Sequence, residues 1–178
     1  SITSEVGIGG DMRSSKCALA VEGDRFSVTK EAPTVSYGAH ADVFLVTCRA
    51  GADAPPSDQV MVTVMRDGAV HGEQSRWDSL GLRGTSSGGF SFSGTGHVDQ
   101  IAPVPFAVIA AETMVPTSHF LWGAAWTGIA AEALTRARAF LRAAARKAPG
   151  TTPPGAVRLM RGIGLLEAGQ ARLAAMID

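Results

Sequence analysis

The stretch that organises the chain is SITSEVGIGGD, residues 1–11, with three glycines among its positions 7–10. Glycine at this density lets backbone amides approach a ligand, because no Cβ stands in the way. Four polar side chains flank the glycines: Ser1, Thr3, Ser4 and Asp11. This composition suits a loop that cradles a flat, polar, phosphorylated group, although a plain turn is the commoner meaning of such a run taken alone.

The loop does not fit a dinucleotide-binding fingerprint, because that motif requires a helix directly after its glycines. Residues 12–17 carry no helical pattern here, and residues 18–21 read as a strand. A flavin or another cofactor at this loop would therefore be held by a surface of loops and strands.

The composition indicates a core-forming chain, long enough for one sizeable domain or two small ones. It has 178 residues, 46% of them hydrophobic, and a formal net charge of zero. Residues 1–105 carry 12 of the 16 acidic side chains, whereas residues 106–178 carry four acidic and eight basic ones. The basic second half suits a phosphate-bearing ligand or an acidic partner, with a solvated arginine-rich face as the alternative. No pattern typical of nucleic-acid binding is present.

Cysteine and histidine usage predicts neither a disulfide framework nor a metal site. Cys17 and Cys48 lie in apolar, strand-like surroundings, which favours a reducing, cytoplasmic location. The four histidines are scattered and form no ligand cluster. The most apolar run, residues 120–131, is too short to span a membrane and predicts a buried core helix. No signal peptide is recognised, and a start directly on a strand indicates part of a longer chain.

The first hundred residues predict an all-β domain, because short apolar runs alternate with turn signals and show no helical period. This spacing favours a small barrel or sandwich. The predicted strands cover residues 18–21, 26–29, 43–48, 60–65, 90–93 and 97–101.

The second part of the chain predicts two helices. The first covers residues 116–147 and ends before Pro149 and Gly150, and the second covers residues 156–176. Apolar positions spaced by four, including Trp122 and Trp126, predict burial around most of the first helix. Two helices cannot cover such faces alone, so we expect more chain or other subunits to cover them.

Four stretches resemble the acyl-CoA dehydrogenase family, in the family's order. They match its loop Thr-Glu-Pro-Gly-x-Gly-Ser-Asp, its flavin-side stretch Trp-Ile-Thr-Asn-Gly-x-x-Ala-Asp, its segment Leu-Gly-x-Arg and its helix Gly-x-Ala-x-x-Ala-Leu. The matching stretches are residues 4–11, 34–42, 80–83 and 128–134.

The resemblance implies an α+β fold. A small antiparallel β-barrel that binds flavin and acyl-CoA would cover residues 1–105. Two long antiparallel helices, the start of the family's C-terminal bundle, would cover residues 106–178. The family's helical N-terminal domain and the rest of its bundle are absent from these 178 residues.

The resemblance also implies an FAD cofactor and a set of contact residues. The flavin contacts would be Ser1, Thr3, Ser4, Thr34, Val35 and Ser36. The acyl-CoA contacts would be Gly10, Ser118 and His119.

The sequence departs from the family pattern at several of these places. Gly10 lacks the hydroxyl of the family's serine, and Thr34 replaces a stacking tryptophan. Ser118 and His119 occupy positions where some members carry the catalytic glutamate and an arginine. Residues 146–150 lack the Phe-Gly of the Arg-x-x-Phe-Gly segment that reaches the flavin diphosphate, although Arg146 remains.

The activity implied by the resemblance is α,β-dehydrogenation of an acyl-CoA thioester, in fatty acid metabolism. In the family a glutamate removes the α-proton, and the β-hydride passes to flavin N5. The catalytic residue is unknown here, and we expect the base to lie beyond residue 178. The implied partners are an electron-transfer flavoprotein or similar acceptor and further subunits, in a homo- or hetero-oligomeric dimer or tetramer.

Two alternatives remain open at this stage. One is a non-catalytic, dehydrogenase-like subunit that pairs with an active partner, which the departures from the family pattern favour. The other is a flavin monooxygenase on the same fold, for which no α-proton base is needed.

Overall fold

The computed structural model describes residues 1–176 and divides the chain into two compact units, with the division between residues 110 and 111. The first unit holds all the strands, and the second holds two long helices. The assignment of residues 1–105 to flavin binding and of residues 106–178 to a partial C-terminal domain stays a prediction.

The first unit contains two antiparallel sheets. One has four strands in the order β1-β2-β6-β5, and the other is the pair β3-β4. The strands are β1 Ala20–Glu22, β2 Arg25–Ala32, β3 Val43–Arg49, β4 Gln59–Met65, β5 Ala69–Ser75 and β6 Gly89–His97. The all-β prediction for this part is confirmed, and among the described residues the strands form no closed barrel.

Two details of the predicted strands are wrong. Sequence reasoning missed β5, because this strand is polar and mostly exposed and depends on its pairing with β6. The strand predicted at residues 97–101 is the end of β6 followed by a 3₁₀ turn, Val98–Gln100. The turn is stabilised by a capping box: the His97 side chain accepts from Asp99 N, and the Gln100 side chain accepts from His97 N.

Alternating side chains of both sheets meet in one hydrophobic core. Strand β2 shows strict alternation, with every second side chain buried, as expected for a strand with one face on the core. A fully buried valine or phenylalanine contributes about 1.5–3 kcal/mol to stability. Strands β2, β3, β4 and β6 supply most of this core, including Phe26, Val28, Phe44, Val46, Val62, Val64, Phe90 and Phe92.

After the strands come a short helix α1, Phe106–Ile109, and a π-helical turn, Ala110–Met114. Two long helices follow, α2 Val115–Lys147 and α3 Ala156–Ala174. Both predicted long helices are confirmed. They pack antiparallel, since Gly123 faces Leu173 and Gly162 faces Leu134. The Leu134 side chain would lie 2.7 Å from a Cβ at Gly162, so this glycine permits the close approach.

The burial predicted for residues 120–131 is not found within this chain. Helix α2 has no buried residue, because α3 covers only one of its sides. Trp122 and Trp126 lie with ring centroids 5.6 Å apart, and both are exposed. Cover from outside the described residues stays a prediction. None of the helices in the described part of the chain combines the length and the apolarity that crossing a membrane requires.

Candidate functional site

The glycine loop is a tight turn that closes on itself. The carbonyl of Glu5 accepts hydrogen bonds from Ile8 N at 3.1 Å and from Gly9 N at 2.8 Å. Gly7 and Gly9 have φ angles of 81° and 67°, in the left-handed region that glycine adopts at low cost. Two of the three glycines are therefore required by the turn itself.

Two strands hold this turn in place. Ile2 N donates to the Leu45 carbonyl of β3 at 2.7 Å, and Val6 N donates to the Glu31 carbonyl of β2 at 2.9 Å. Ile2 is also buried, with 1% of its surface exposed. The residues between these anchors, Thr3 and Ser4, are thus carried on a fixed backbone.

The Glu5 side chain is buried beneath the turn and fully hydrogen-bonded. Its carboxylate accepts from the Ser15 hydroxyl at 2.8 Å, from Lys16 N at 3.1 Å and from Cys17 N at 2.8 Å. The Lys30 ammonium lies 3.7 Å from the same carboxylate and has no exposed side-chain surface. Burial lowers the pKa of Lys30, and the nearby Glu5 opposes that shift.

Sequence reasoning missed this ion pair. Glu5 belongs to the glycine-loop motif, and Lys30 directly follows the strand predicted at residues 26–29. The available signal was alternation along β2, where the inward positions Phe26 and Val28 are followed by Lys30 and Ala32. A lysine at an inward position of such a strand indicates a buried partner.

The structure brings Ser4 and Thr34 together, although they are 30 residues apart. The Ser4 hydroxyl donates to the Thr34 carbonyl at 2.6 Å, and the Thr34 hydroxyl donates to Ser4 Oγ at 3.3 Å. The Thr34 side chain is exposed and that of Ser4 is half-buried. The two predicted flavin contacts therefore form one polar edge next to the glycine turn.

Val35 and Ser36 continue from this edge in different ways. The Val35 side chain belongs to the core, with 2% of its surface exposed, and Val35 N donates to the Gly88 carbonyl at 2.8 Å. Its carbonyl accepts from Gly38 N at 3.2 Å, so both backbone polar groups of Val35 have partners within the chain. Ser36 is exposed, and its hydroxyl lies 2.9 Å from that of Ser87.

Backbone strain is concentrated where these segments meet. The described residues include three non-glycine positions with positive φ, at 60°, 54° and 43°: Tyr37, Leu82 and Ser86. All three lie within a few residues of the contact between Ser36 and Ser87. A left-handed conformation at such residues costs about 1–3 kcal/mol and is found preferentially at functional sites.

The remaining predicted contacts are spread over the chain. Ser1 and Gly10 are exposed, and Thr3 is half-buried beside the anchored Ile2. In the second unit, the Ser118 hydroxyl donates to the Val115 carbonyl at 3.0 Å, and His119 Nδ1 lies 2.8 Å from the same carbonyl. Both side chains are thus bonded to their own helical turn.

The segment that resembles Leu-Gly-x-Arg is stabilised by its own contacts. The Arg83 guanidinium bonds the Asp78 carboxylate and the Ser79 carbonyl, each at 2.9 Å, and Trp77 Nε1 donates to the Leu82 carbonyl at 3.0 Å. A cleft of about 530 Å³ lies beside this segment and is also lined by His40 and Phe90 from the neighbouring elements. Arg83 therefore has a structural role in the loop.

Both cysteines are buried and free, as the sequence suggested. Burial raises the pKa of Cys17 to about 11 and that of Cys48 to about 12. Within the described residues, no group of three or more histidine, cysteine, aspartate or glutamate side chains is arranged to hold a metal ion.

No protein-family model matches the chain, and no curated protein matches it by sequence. Solved structures do match. A FAD-dependent dehydrogenase is 21% identical, with a TM-score of 0.80 over 97% of this chain and 48% of its own. An acyl-CoA dehydrogenase from Geobacillus kaustophilus is 18% identical, with a TM-score of 0.78 over 99% of this chain and 48% of its own. A dibenzothiophene monooxygenase from a Paenibacillus species is 21% identical, with a TM-score of 0.66 over 90% and 45%.

These matches establish the fold. The sheets and helices of this chain are arranged as in acyl-CoA dehydrogenases and related flavin-dependent enzymes, so the fold expected from the resemblance is confirmed. The chain spans about half the length of the solved structures that it matches.

Proposed function

We propose that this chain contributes the flavin-binding surface of an acyl-CoA dehydrogenase-like oxidoreductase. The observation that carries the proposal is the polar edge formed by Ser4 and Thr34, next to a glycine turn anchored on two strands. The fold shared with solved structures of a FAD-dependent dehydrogenase and an acyl-CoA dehydrogenase supports the proposal.

The residues present fit a flavin. The pyrimidine edge of the ring is planar and carries both donors and acceptors. The hydroxyl oxygens of Ser4 and Thr34 can accept from it, and the Thr34 hydroxyl can donate to it by turning away from its long 3.3 Å bond to Ser4. Thr3, Ser36 and Ser1 are the further side chains proposed to contact the flavin. Thr34 stands where the family carries a stacking tryptophan, so the contact proposed for Thr34 is polar.

In this proposal the flavin supplies the acceptor for a hydride from the substrate. The chain's own residues bind and orient it, because its reactive atom must face the β-carbon of the thioester. Gly10, Ser118 and His119 are the proposed acyl-CoA contacts. The α-proton would be removed by a base beyond the described residues, since Ser118 and His119 stand where a glutamate and an arginine would be needed.

The experiment is an anaerobic visible spectrum of the purified full-length protein, before and after addition of a panel of acyl-CoA thioesters. A bound flavin whose band bleaches with one chain class supports the dehydrogenase proposal and defines the substrate class. Absence of bound flavin contradicts it.

Two further candidates would both leave the flavin band unbleached by acyl-CoA thioesters, and a second measurement separates them from each other. The departures at Gly10, Thr34 and His119 favour a non-catalytic subunit, which would show no bleaching with any thioester. The similarity to a dibenzothiophene monooxygenase favours an oxygen-using enzyme. That enzyme would also leave the flavin oxidised with every acyl-CoA, but its chemically reduced flavin would be reoxidised by oxygen, with one oxygen atom transferred to an organic substrate and the other released as water.

A further inference from the structure

Lys30 contacts both residues that bracket Thr3 and Ser4. Its ammonium lies 3.4 Å from the Ile2 carbonyl on one side and 3.7 Å from the Glu5 carboxylate on the other. It also donates to the Thr47 carbonyl at 2.8 Å and to the Thr47 hydroxyl at 3.1 Å. One buried cation thus connects both ends of the predicted flavin-contact segment to strand β3.

The other partner of Ser4 lies just after the strand that carries Lys30. Lys30 belongs to β2, and Thr34 follows two residues after the strand ends, where it bonds the Ser4 hydroxyl. Ser4 is therefore restrained in two ways: Lys30 contacts Ile2 and Glu5 on either side of it in the chain, and its own hydroxyl bonds Thr34. Both restraints come from one short stretch of backbone, residues 30–34.

Stability alone is a weak reason for such a pair. Lys30 has no exposed side-chain surface and Glu5 has 8%, and the desolvation of two charges largely cancels their attraction. Hydrophobic residues of similar volume are often as stable as a buried ion pair, or more so. A directional cation with several acceptors does, however, fix backbone positions that a hydrophobic contact would leave free.

We propose that Lys30 is a positioning residue for flavin binding: by holding Ile2 and Glu5 it fixes the hydroxyls of Thr3 and Ser4 in the orientation that the flavin edge requires. This inference rests on the proposed function. Glu5 and Thr47 are the partners through which Lys30 acts.

The test compares flavin affinity with loop order in the full-length protein. Lys30→Met alone would leave the Glu5 carboxylate buried without its counter-charge, so the informative variant is the double substitution Lys30→Met with Glu5→Gln. The matched control is Arg136→Met with Glu132→Gln, which removes an exposed ion pair of helix α2 and likewise leaves the net charge unchanged. The measurements are the flavin dissociation constant by fluorescence quenching, amide hydrogen exchange over residues 2–10, and the melting temperature.

We expect the double variant to fold and to bind flavin about tenfold more weakly or worse, since a hydrogen bond to a charged group is worth about that factor. Amides of the glycine turn should exchange faster, and the control variant Arg136→Met/Glu132→Gln should match the wild type. Thr47→Val removes, without changing charge, the hydroxyl that accepts from Lys30 at 3.1 Å and donates to the Ile2 carbonyl at 3.4 Å. It leaves the other contacts of Lys30 in place, so it should give a smaller change in the same direction. If the double variant fails to fold, Thr47→Val carries the test.

Wild-type flavin affinity and loop exchange in a folded double variant would overturn the positioning role while leaving the proposed function intact. A wild-type protein that binds no flavin would instead overturn the proposed function, and the flavin role of Lys30 with it. The two failures are therefore distinguishable.

Discussion

The hydroxyl of Ser36 lies 2.9 Å from that of Ser87, although 51 residues separate them. Ser87 is in turn 2.8 Å from the Thr85 hydroxyl, and Tyr37 N donates to the Thr85 carbonyl at 2.8 Å. Residues 34–42, which resemble one family motif, and residues 85–87, which closely follow the Leu-Gly-x-Arg segment, therefore form one continuous polar surface. The strained backbone at Tyr37 lies on the same surface.

Ser36→Ala is expected to weaken flavin binding in the full-length protein by about 0.5–1.5 kcal/mol, the net value of one hydrogen bond. The exposed hydroxyl is proposed to serve the ligand, so the melting temperature should change little. Flavin titration by fluorescence quenching measures the effect. Ser57→Ala, at an exposed loop serine between β3 and β4, is the control, and equal affinities for the two variants would count against the assignment of Ser36.

Gly10→Ser is expected to be accepted without loss of stability and to strengthen acyl-CoA binding. A Cβ at Gly10 would meet no atom within 4 Å, and its φ is not positive. The added hydroxyl would restore the group that the family resemblance places there, worth about 1 kcal/mol. Thioester titration of the flavin-loaded protein measures it, and unchanged affinity would remove Gly10 from the proposed substrate site.

Gly9→Ser provides the matched comparison for that experiment. This position is equally open, but its φ of 67° is left-handed. A serine there should destabilise the protein by about 1 kcal/mol through backbone strain alone. Urea unfolding of both serine variants separates the strain from the contact.

Gly38→Ala should destabilise the first unit by about 1–3 kcal/mol, as expected for overpacking of a core. The added Cβ would lie 2.9 Å from side-chain atoms of both Phe90 and Val35. Gly51→Ala, where a Cβ meets nothing within 4 Å, is the control. Equal urea midpoints for the two variants would show that the packing at Gly38 relaxes freely.

The two buried thiols should resist modification in the folded protein. Burial raises the pKa of Cys17 to about 11 and that of Cys48 to about 12, against 9.0 for a free thiol. Iodoacetamide at pH 8 should therefore label both only after unfolding, as counted by mass spectrometry. Labelling of the native protein at the unfolded rate would contradict the burial.

The same shifts set the direction of a stability change at alkaline pH. Each thiol keeps its proton longer in the folded state, so its stabilising contribution is complete below pH 9 and is lost as the pH rises towards 11–12. The lowered pKa of Lys30 acts in the opposite direction. Comparing the wild type with the double variant Cys17→Ala/Cys48→Ala isolates the thiols, and the variant should lose less stability between pH 9 and 11.

Local patterns were sufficient for most of the elements. The short, turn-bounded apolar runs within β2, β3 and β4 predicted strands, and the alanine-rich run of α2 with its proline-glycine stop predicted a helix. These signals are read correctly because they depend on side chains close together in the chain. Strand β5 was missed because its polar sequence carries no such signal and its partner is supplied by β6.

The sequence by itself determined most of the strands, both long helices and the resemblance to a flavin-dependent family. Only the tertiary structure decided that Ser4 meets Thr34. The same holds for the contacts that the buried Lys30 makes with Ile2 and Glu5. Residues 30 positions apart are brought within hydrogen-bond distance by sheet pairing, and no local propensity encodes that distance. Burial of a charge is likewise a property of everything packed around it, which is why the ion pair became visible only in the folded chain.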